Sequence, residues 1–382
     1  MSRIVVIGGG MVGSAMAIDM VQNHEVLLTD INPVVLDKVL VKEPKLEVAT
    51  LDVTDHDELR HCVEGCDLVI CAVPGHLGFQ ALKALISLGK DVVDISFFPE
   101  NALELRSLAE EHRVTAIVDC GVAPGMGNLM LGYHDGRMEV THFECLVGGL
   151  PKAKKWPFQY KAPFSPVDVI EEYTRPARFI ENSKWVTRPA LTDVELVDFE
   201  KVGTLEAFNS DGLRSILYTM PHIPNRKEKT LRYPGHVEYI RVLQESGFFD
   251  TQEIRVNEQL IRPIDFTSSI LFQDWKLGEY EEELTVMRVS IQGKDSHGQN
   301  VLVQYDLHDE FDLETRTSSM ARTTGYTATA AAHLILNQIF AEKGVFPPEL
   351  VGRHETCFNF VWDYLKQRGV IYKQLIKTLE SD

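Results

Sequence analysis

The stretch Arg3-Ile4-Val5-Val6-Ile7-Gly8-Gly9-Gly10-Met11-Val12-Gly13 decides the fold. An unbroken β-branched run such as Ile4–Ile7 is the mark of a parallel strand buried on both faces rather than one half exposed to water. The glycines behind it satisfy G-x-G-x-x-G between a strand and a helix. Gly8 permits the tight turn, Gly10 lets the backbone approach a pyrophosphate, and Gly13 lets helix and strand pack closely. The helix opening through Met11 and Val12 then presents unpaired N–H groups and partial positive charge to a diphosphate.

The next strand ends at Asp30, 17 residues past Gly13, where a carboxylate can accept from an adenosine ribose hydroxyl. The same charge would repel a 2′-phosphate, and no Arg follows within Ile31-Asn32-Pro33-Val34, so NAD is expected over NADP. The competing role for Asp30 is a helix N-cap ahead of Pro33. Asp52 and Val53, after the third strand, are expected to flank the adenine, with helix capping the alternative for Asp52. Ala72, Val73 and Pro74, after the fourth strand, are expected at the nicotinamide ribose, because ligands of an open α/β sheet lie outside the carboxyl ends of its strands.

Further along, short β-branched runs alternate with amphipathic stretches. Strands are predicted at Arg3–Ile7, Glu25–Thr29, Leu46–Thr50, Leu68–Ala72, Asp91–Asp94 and Thr115–Val118, with helices over Ala15–Asn23, Phe79–Leu88 and Asn101–Glu111. That pattern is an α/β, Rossmann-type doubly wound parallel sheet. After Gly121 glycine and proline become frequent, and Glu283–Gln292 and Val301–Leu307 read as antiparallel strands. Residues 125–315 are therefore expected to form a mixed α+β substrate and dimerisation domain. Arg316–Phe340 reverts to helix rich in small residues and is expected to pack back, so that residues 1–124 plus about 316–382 make the dinucleotide domain.

A length of 382 residues suits two domains. Apolar residues at 44% and charged ones at 25% describe an ordinary folded chain rather than a disordered or fibrous one. Lys plus Arg number 38 against 56 Asp plus Glu, a net charge of −18, which argues against nucleic acid and anionic membranes as partners. Six scattered cysteines form no C-x-x-C pair, so no metal site is expected and a reducing cytoplasm is the expected compartment. Met1-Ser2-Arg3 runs straight into the first strand and is not expected to act as a secretory leader. No apolar stretch approaches the roughly 18 residues of a membrane span.

Four strings stand in order along the chain: Asp119-Cys120-Gly121-Val122-Ala123-Pro124-Gly125-Met126-Gly127-Asn128, Gly148-Gly149-Leu150-Pro151, Thr230-Leu231-Arg232-Tyr233-Pro234-Gly235-His236 and Met320-Ala321-Arg322-Thr323-Thr324. Together they resemble the saccharopine dehydrogenase family. With Glu206-Ala207-Phe208, the likeness is greatest to its lysine 6-dehydrogenase branch. Saccharopine reductases carry an Asp where Ala123 stands here and a basic residue near Asp30, whereas Gly75-His76-Leu77-Gly78 and Phe97-Phe98-Pro99-Glu100 match neither branch well.

The resemblance implies an NAD-dependent oxidoreductase acting on a C–N bond of lysine or a lysine derivative. Alternatives are a glutamate-forming saccharopine dehydrogenase, a homospermidine synthase-like polyamine enzyme and a non-catalytic NAD-binding protein. Hydride can leave only an amine whose nitrogen has lost its proton, so a base is required. Asp119, His76 and His236 are the candidates for that base. An amino-acid carboxylate calls for a fork-shaped cation, for which Arg232 is the candidate, with Asn209, Ser210 and Tyr160 as further substrate contacts. The expected partner is a small-molecule amino acid, and the expected assembly a homodimer.

Overall fold

In the computed structural model, residues 1–164, 166–278 and 280–379 are described. The first third of the chain alternates strand and helix: β1 (Arg3–Ile7), α1 (Met11–Met20), β2 (Glu25–Asp30), α2 (Pro33–Lys42), β3 (Glu47–Thr50), α3 (His56–Val63), β4 (Leu68–Cys71), α4 (Gly75–Ser87), β5 (Val92–Asp94), a 3-10 turn and α5 (Arg106–Glu111), then β6 (Thr115–Ile117). α6 (Met126–Asp135) leads into β7 (Glu139–Pro151), α7 (Pro166–Thr174), β8 (Ala177–Glu181), β9 (Lys184–Arg188), β10 (Glu195–Phe199), β11 (Gly203–Asn209), α8 (Ile216–Thr219), β12 (Asn225–Arg232) and α9 (His236–Glu245). The small hairpin β13 (Ile254–Val256) and β14 (Gln259–Ile261), α10 (Pro263–Trp275), β15 (Glu283–Lys294) and β16 (Asn300–Glu310) follow. The chain closes with α11 (Ser319–Leu336), β17 (Gly344–Phe346), α12 (Pro348–Gly352), α13 (Glu355–Gln367) and β18 (Tyr372–Thr378).

The first sheet is seven-stranded in the order β17-β6-β5-β4-β1-β2-β3, with its pairs parallel. Its central strands are covered on both faces, which is why β1 and β4 carry no polar alternation. Ile4, Val6, Leu68 and Ile70 face the core shared with α1 and α11, whereas Val5, Ile7, Val69 and Cys71 face the one shared with α3 and α4. β17 extends this sheet by pairing with β6, Gly344 opposite Thr115.

The second sheet runs β10-β11-β12-β7-β15-β16-β18, with β8 and β9 attached beside β12. β12 and β7 pair in parallel, with Glu228 beside Cys145, and the neighbouring pairs are antiparallel. Residues after 316 serve both sheets. α11 lies on α1, where Gly325 admits the Met16 side chain, and Asp19 accepts from Thr329, Tyr364 and Arg368 at 2.6, 2.6 and 2.7 Å. β18, by contrast, joins the second sheet beside β16. One continuous core accordingly runs from Val6 through Met130 and Ala328 to Val289 and Tyr305.

Among the described residues no helix is long and apolar enough to cross a membrane, and no cluster of His, Cys, Asp and Glu could hold a metal ion. The six cysteines are free thiols.

Candidate functional site

The carboxyl ends of the first sheet open into a cleft of about 1470 Å3, walled on the far side by the second sheet, α7 and the residues Lys276, Leu277, Gly278, Tyr280 and Glu281. Single-ligand pockets usually hold roughly 300–1,000 Å3. This cleft therefore has room for a dinucleotide and a second small molecule.

Gly8, Gly10, Met11, Val12 and Gly13 line the near wall. The glycines have different reasons. Gly8 has φ +102°, and a side chain there would meet the Ala72 carbonyl oxygen at 2.4 Å; one at Gly13 would meet the Gly8 carbonyl oxygen at 1.8 Å. A side chain at Gly10 would meet nothing within 4 Å, because it would project into open space. Helix α1 starts at Gly10 with no side-chain cap and no acidic residue in its first turn, so its amides remain available for an anion. These features fit the diphosphate of a dinucleotide.

Asp30 closes the turn. Its Oδ2 accepts from the Gly9 N–H at 2.7 Å and its Oδ1 from the Asn32 N–H at 2.8 Å. The N-cap of α2 is Asn32, whose side chain accepts from the Val34 N–H, so Asp30 is not spent on capping. Likewise α3 is capped by Asp55, while Asp52 accepts from the Thr54 amide and hydroxyl, which hold its carboxyl below the usual range. Asp30, Asp52, Val53, Ala72, Val73 and Pro74 all line the cleft. So do Lys42 and Arg316, the latter 5.3 Å from the centre of the Tyr280 ring. Sequence proximity to Asp30 had not brought those cations into view.

On the far wall, strand alternation sets Glu228, Thr230 and Arg232 of β12 on one face, and all three line the cleft with Ser210, Asp211 and Asp119. Arg232 is 2% exposed. Its Nη2 meets Glu172 Oε2 at 2.6 Å and Tyr160 Oη at 3.3 Å, its Nε donates to Tyr173 Oη at 3.1 Å, and its Nη1 to the Leu231 carbonyl at 2.9 Å. A carboxylate-bearing ligand would find this guanidinium already engaged by a carboxylate. Burial raises the Glu172 carboxyl, and Arg232 opposes that rise.

Other arginines nearby are matched in the same way. Arg214 Nε lies 2.6 Å from Asp119 Oδ1, Arg178 Nη2 lies 2.7 Å from Asp211 Oδ2, and Arg175 contacts Glu171. Asp119, at φ +54°, is held by that ion pair rather than by the Gly121–Gly125 turn. Ser210 accepts from the Thr230 hydroxyl at 2.8 Å.

Glu228 differs. It is 8% exposed and has no hydrogen-bond or ion-pair partner among the described residues. Burial first, then the neighbouring carboxylates of Glu172 and Asp211, push its carboxyl up to about 8, with Arg214 opposing. Its carboxyl sits over Gly212, where any side chain would meet Oε1 at 1.6 Å. Sequence reading passed over Glu228, although the i, i+2, i+4 spacing with Thr230 and Arg232 was a usable signal.

Four sequence candidates lie off the cleft lining. His236 is 1% exposed behind Arg232, with its Nε2 2.9 Å from Tyr173 Oη and its Nδ1 2.8 Å from the Phe158 carbonyl. A proton on Nδ1 satisfies both contacts. Burial, then the Arg232 charge, lower its pKa to about 3, which leaves a neutral spacer in the core. Tyr160 is buried beneath the Arg232 guanidinium. Asn209 donates to Thr192 and Asp193. His76 stands exposed on the first turn of α4.

The saccharopine dehydrogenase NADP binding domain model matches residues 4–117, and the saccharopine dehydrogenase C-terminal domain model matches residues 121–370. The alpha-aminoadipic semialdehyde synthase of Arabidopsis thaliana is 26% identical over 226 residues, which cover 55% of this chain but only 21% of that protein's length. The carboxyaminopropylagmatine dehydrogenase of Synechocystis is 20% identical over 374 residues, 91% of this chain and 92% of that one. Among solved structures, saccharopine dehydrogenase (L-Glu forming) from Saccharomyces cerevisiae superposes with a TM-score of 0.79 at 18% identity, covering 99% of this chain and 100% of that chain, a likeness of fold. With its nucleotide-binding half and its cleft-bearing half each matched in order, the chain belongs to the saccharopine dehydrogenase family, whose members are oxidoreductases acting on amino-acid CH–NH bonds.

Proposed function

We propose that the protein is an NAD-dependent dehydrogenase that oxidises a C–N bond of lysine or of a lysine-derived secondary amine, in the manner of a lysine 6-dehydrogenase. The observation that carries this reading is the placement of an uncapped helix terminus and Asp30 across one cleft from a carboxylate-rich wall. Bound there, the dinucleotide supplies a hydride acceptor. The chain's own residues do the rest: the α1 amides and Asp30 fix the cofactor, and the far wall holds a cationic nitrogen and keeps bulk water away. NAD is preferred because a 2′-phosphate would be set against the Asp30 carboxylate. A cytoplasmic homodimer accompanies this reading.

The glutamate-forming saccharopine reaction is a second member of the same chemistry, since both remove hydride from a carbon bearing nitrogen. A polyamine-type amine is a third, and the neutralised arginines favour it: Arg232, Arg214 and Arg175 each already face a carboxylate. The relative named carboxyaminopropylagmatine dehydrogenase, which spans nearly the same length, supports weighing it. The test is NADH formation by the purified chain from lysine, saccharopine and a polyamine in separate reactions. Lysine is expected to reduce NAD without added glutamate. Turnover of saccharopine alone would assign the chain to the reductase branch.

A further inference from the structure

The far wall holds one feature that fold stability does not explain: a buried carboxylate facing the cleft with no hydrogen-bond or ion-pair partner among the described residues. Glu228 lies on the central strand β12, with Thr230 and Arg232 on the same face. Burying a carboxylate without a cation or a hydrogen-bond donor is unfavourable, and a nearby cation would lessen the cost. Arg232, Arg214 and Arg178 are turned instead to Glu172, Asp119 and Asp211. Gly212 leaves the Glu228 carboxyl the space it occupies.

We propose that Glu228 is the acid–base residue of this cleft: it pairs with the reacting nitrogen of the substrate as an ammonium and takes its proton. The proposal rests on the reading of the cleft as an amine dehydrogenase site. The step balances. The N–H bond of the ammonium breaks, its proton passes to Glu228, and the nitrogen keeps the electron pair. That pair becomes the second bond of C=N as the adjacent C–H bond breaks and its electrons leave as hydride to an oxidised nicotinamide. The carbon is oxidised, the nicotinamide is reduced, and Glu228 retains the proton until it is released to water.

Proton affinity suits the task. An ordinary glutamate near 4.3 lies roughly 6 units below an alkylammonium near 10.4. At about 8, Glu228 lies much nearer to it, so proton transfer becomes accessible while the carboxylate is still formed under mildly alkaline conditions. The carboxylates of Glu172, Asp211 and Asp119 around it attract the same cationic nitrogen. A substrate that is cationic at the reacting nitrogen is the class this wall selects.

The test uses the full chain and the variants Glu228→Gln and Glu228→Asp. NADH binding, followed by fluorescence, is expected to be equal in all three, because Glu228 lies across the cleft from the dinucleotide turn. Difference infrared spectra of wild type minus Glu228→Gln, titrated with 1,5-diaminopentane as probe, are expected to show a carboxyl group that ionises when the diamine binds. With whichever of lysine and saccharopine is turned over, Glu228→Gln should lose about 100-fold in kcat/KM, and Glu228→Asp should recover part of it with a displaced pH inflection. A Glu228 carboxyl that does not respond to the diamine overturns the proposal even if no substrate is turned over. Retention of wild-type kcat/KM and its pH inflection in Glu228→Gln overturns it as well. Loss of NADH binding in wild type would instead overturn the reading of the site on which the proposal rests.

Discussion

Glu172 Oε2 lies 2.6 Å from Arg232 Nη2, and the guanidinium it meets is 2% exposed. Arg232 is thereby neutralised inside the protein, in a chain of contacts that runs through Tyr173 to His236 and the Phe158 carbonyl. Breaking such a pair from one side leaves a charge stranded, which costs more than the pair itself contributes. Glu172→Gln is expected to lower unfolding free energy by about 3 kcal/mol, whereas Arg60→Ala, which removes an exposed i,i+3 pair, changes it by less than about 0.5 kcal/mol. Urea denaturation of the two variants measures both. Equal, small effects would mean that Arg232 finds compensation from water or neighbours.

The glycines of the first turn separate binding from folding. A Cβ at Gly13 collides with backbone at 1.8 Å, so Gly13→Ala should destabilise the fold by a few kcal/mol. A Cβ at Gly10 meets nothing within 4 Å, so Gly10→Val should leave the melting temperature close to that of wild type. That same side chain occupies the approach to the α1 amides, and NADH affinity should fall at least about 10-fold, roughly 1.4 kcal/mol. Calorimetric scanning and fluorescence titration together check the pair. Unaltered NADH binding in Gly10→Val would move the diphosphate elsewhere.

Cofactor choice follows from Asp30. Its oxygens are anchored by the amides of Gly9 and Asn32, so its charge cannot swing away from a 2′-phosphate. Wild type is expected to bind NADH at least about 10-fold more tightly than NADPH, and Asp30→Ala to erase that ratio, because Lys42 and Arg316 line the same cleft and would attract the phosphate. A wild-type preference for NADPH contradicts the account.

Stability should also carry a signature of buried carboxyls. Glu283 is 1% exposed, Oε1 accepts from the Met320 amide, Oε2 has no hydrogen-bond partner among the described residues, and burial raises its pKa to about 8. Between its ordinary value near 4.5 and about 8, the folded chain holds a proton that the unfolded chain has lost. Stability from this group is therefore complete below about 4.5 and decays as pH rises through about 8. Glu283→Gln should remove on the order of 2 kcal/mol of that decline. Urea midpoints of variant and wild type that run parallel across mildly acid and mildly alkaline pH would count against it.

What could be read from sequence was what short-range chemistry fixes. The runs around Ile4–Ile7 and Leu68–Cys71 are buried on both sides, and no alternative structure suits so many β-branched residues in succession. That the turn glycines, Asp30 and the residues following Cys71 line one cleft was legible because their positions depend on immediate neighbours. β17 was not, since Gly344–Phe346 is only three residues long and becomes a strand by pairing with Thr115–Ile117. Helix Met126–Asp135 was hidden by its glycines, which look like loop; Gly132 is there because the Glu349 backbone leaves no room for a side chain. The second wall of the cleft was harder still. His236 and Asn209 were chosen for their chemistry, but packing turned both away, whereas Glu228 was overlooked although alternation along β12 sets it beside Arg232.

The most direct test of the central claim is a crystal structure of the full chain with bound NAD. The diphosphate should lie against the amides of Met11, Val12 and Gly13, the adenosine ribose should touch Asp30, and the nicotinamide ring should face Glu228 and Arg232. A dinucleotide whose nicotinamide points away from β12, or one bound outside the glycine turn, would contradict it.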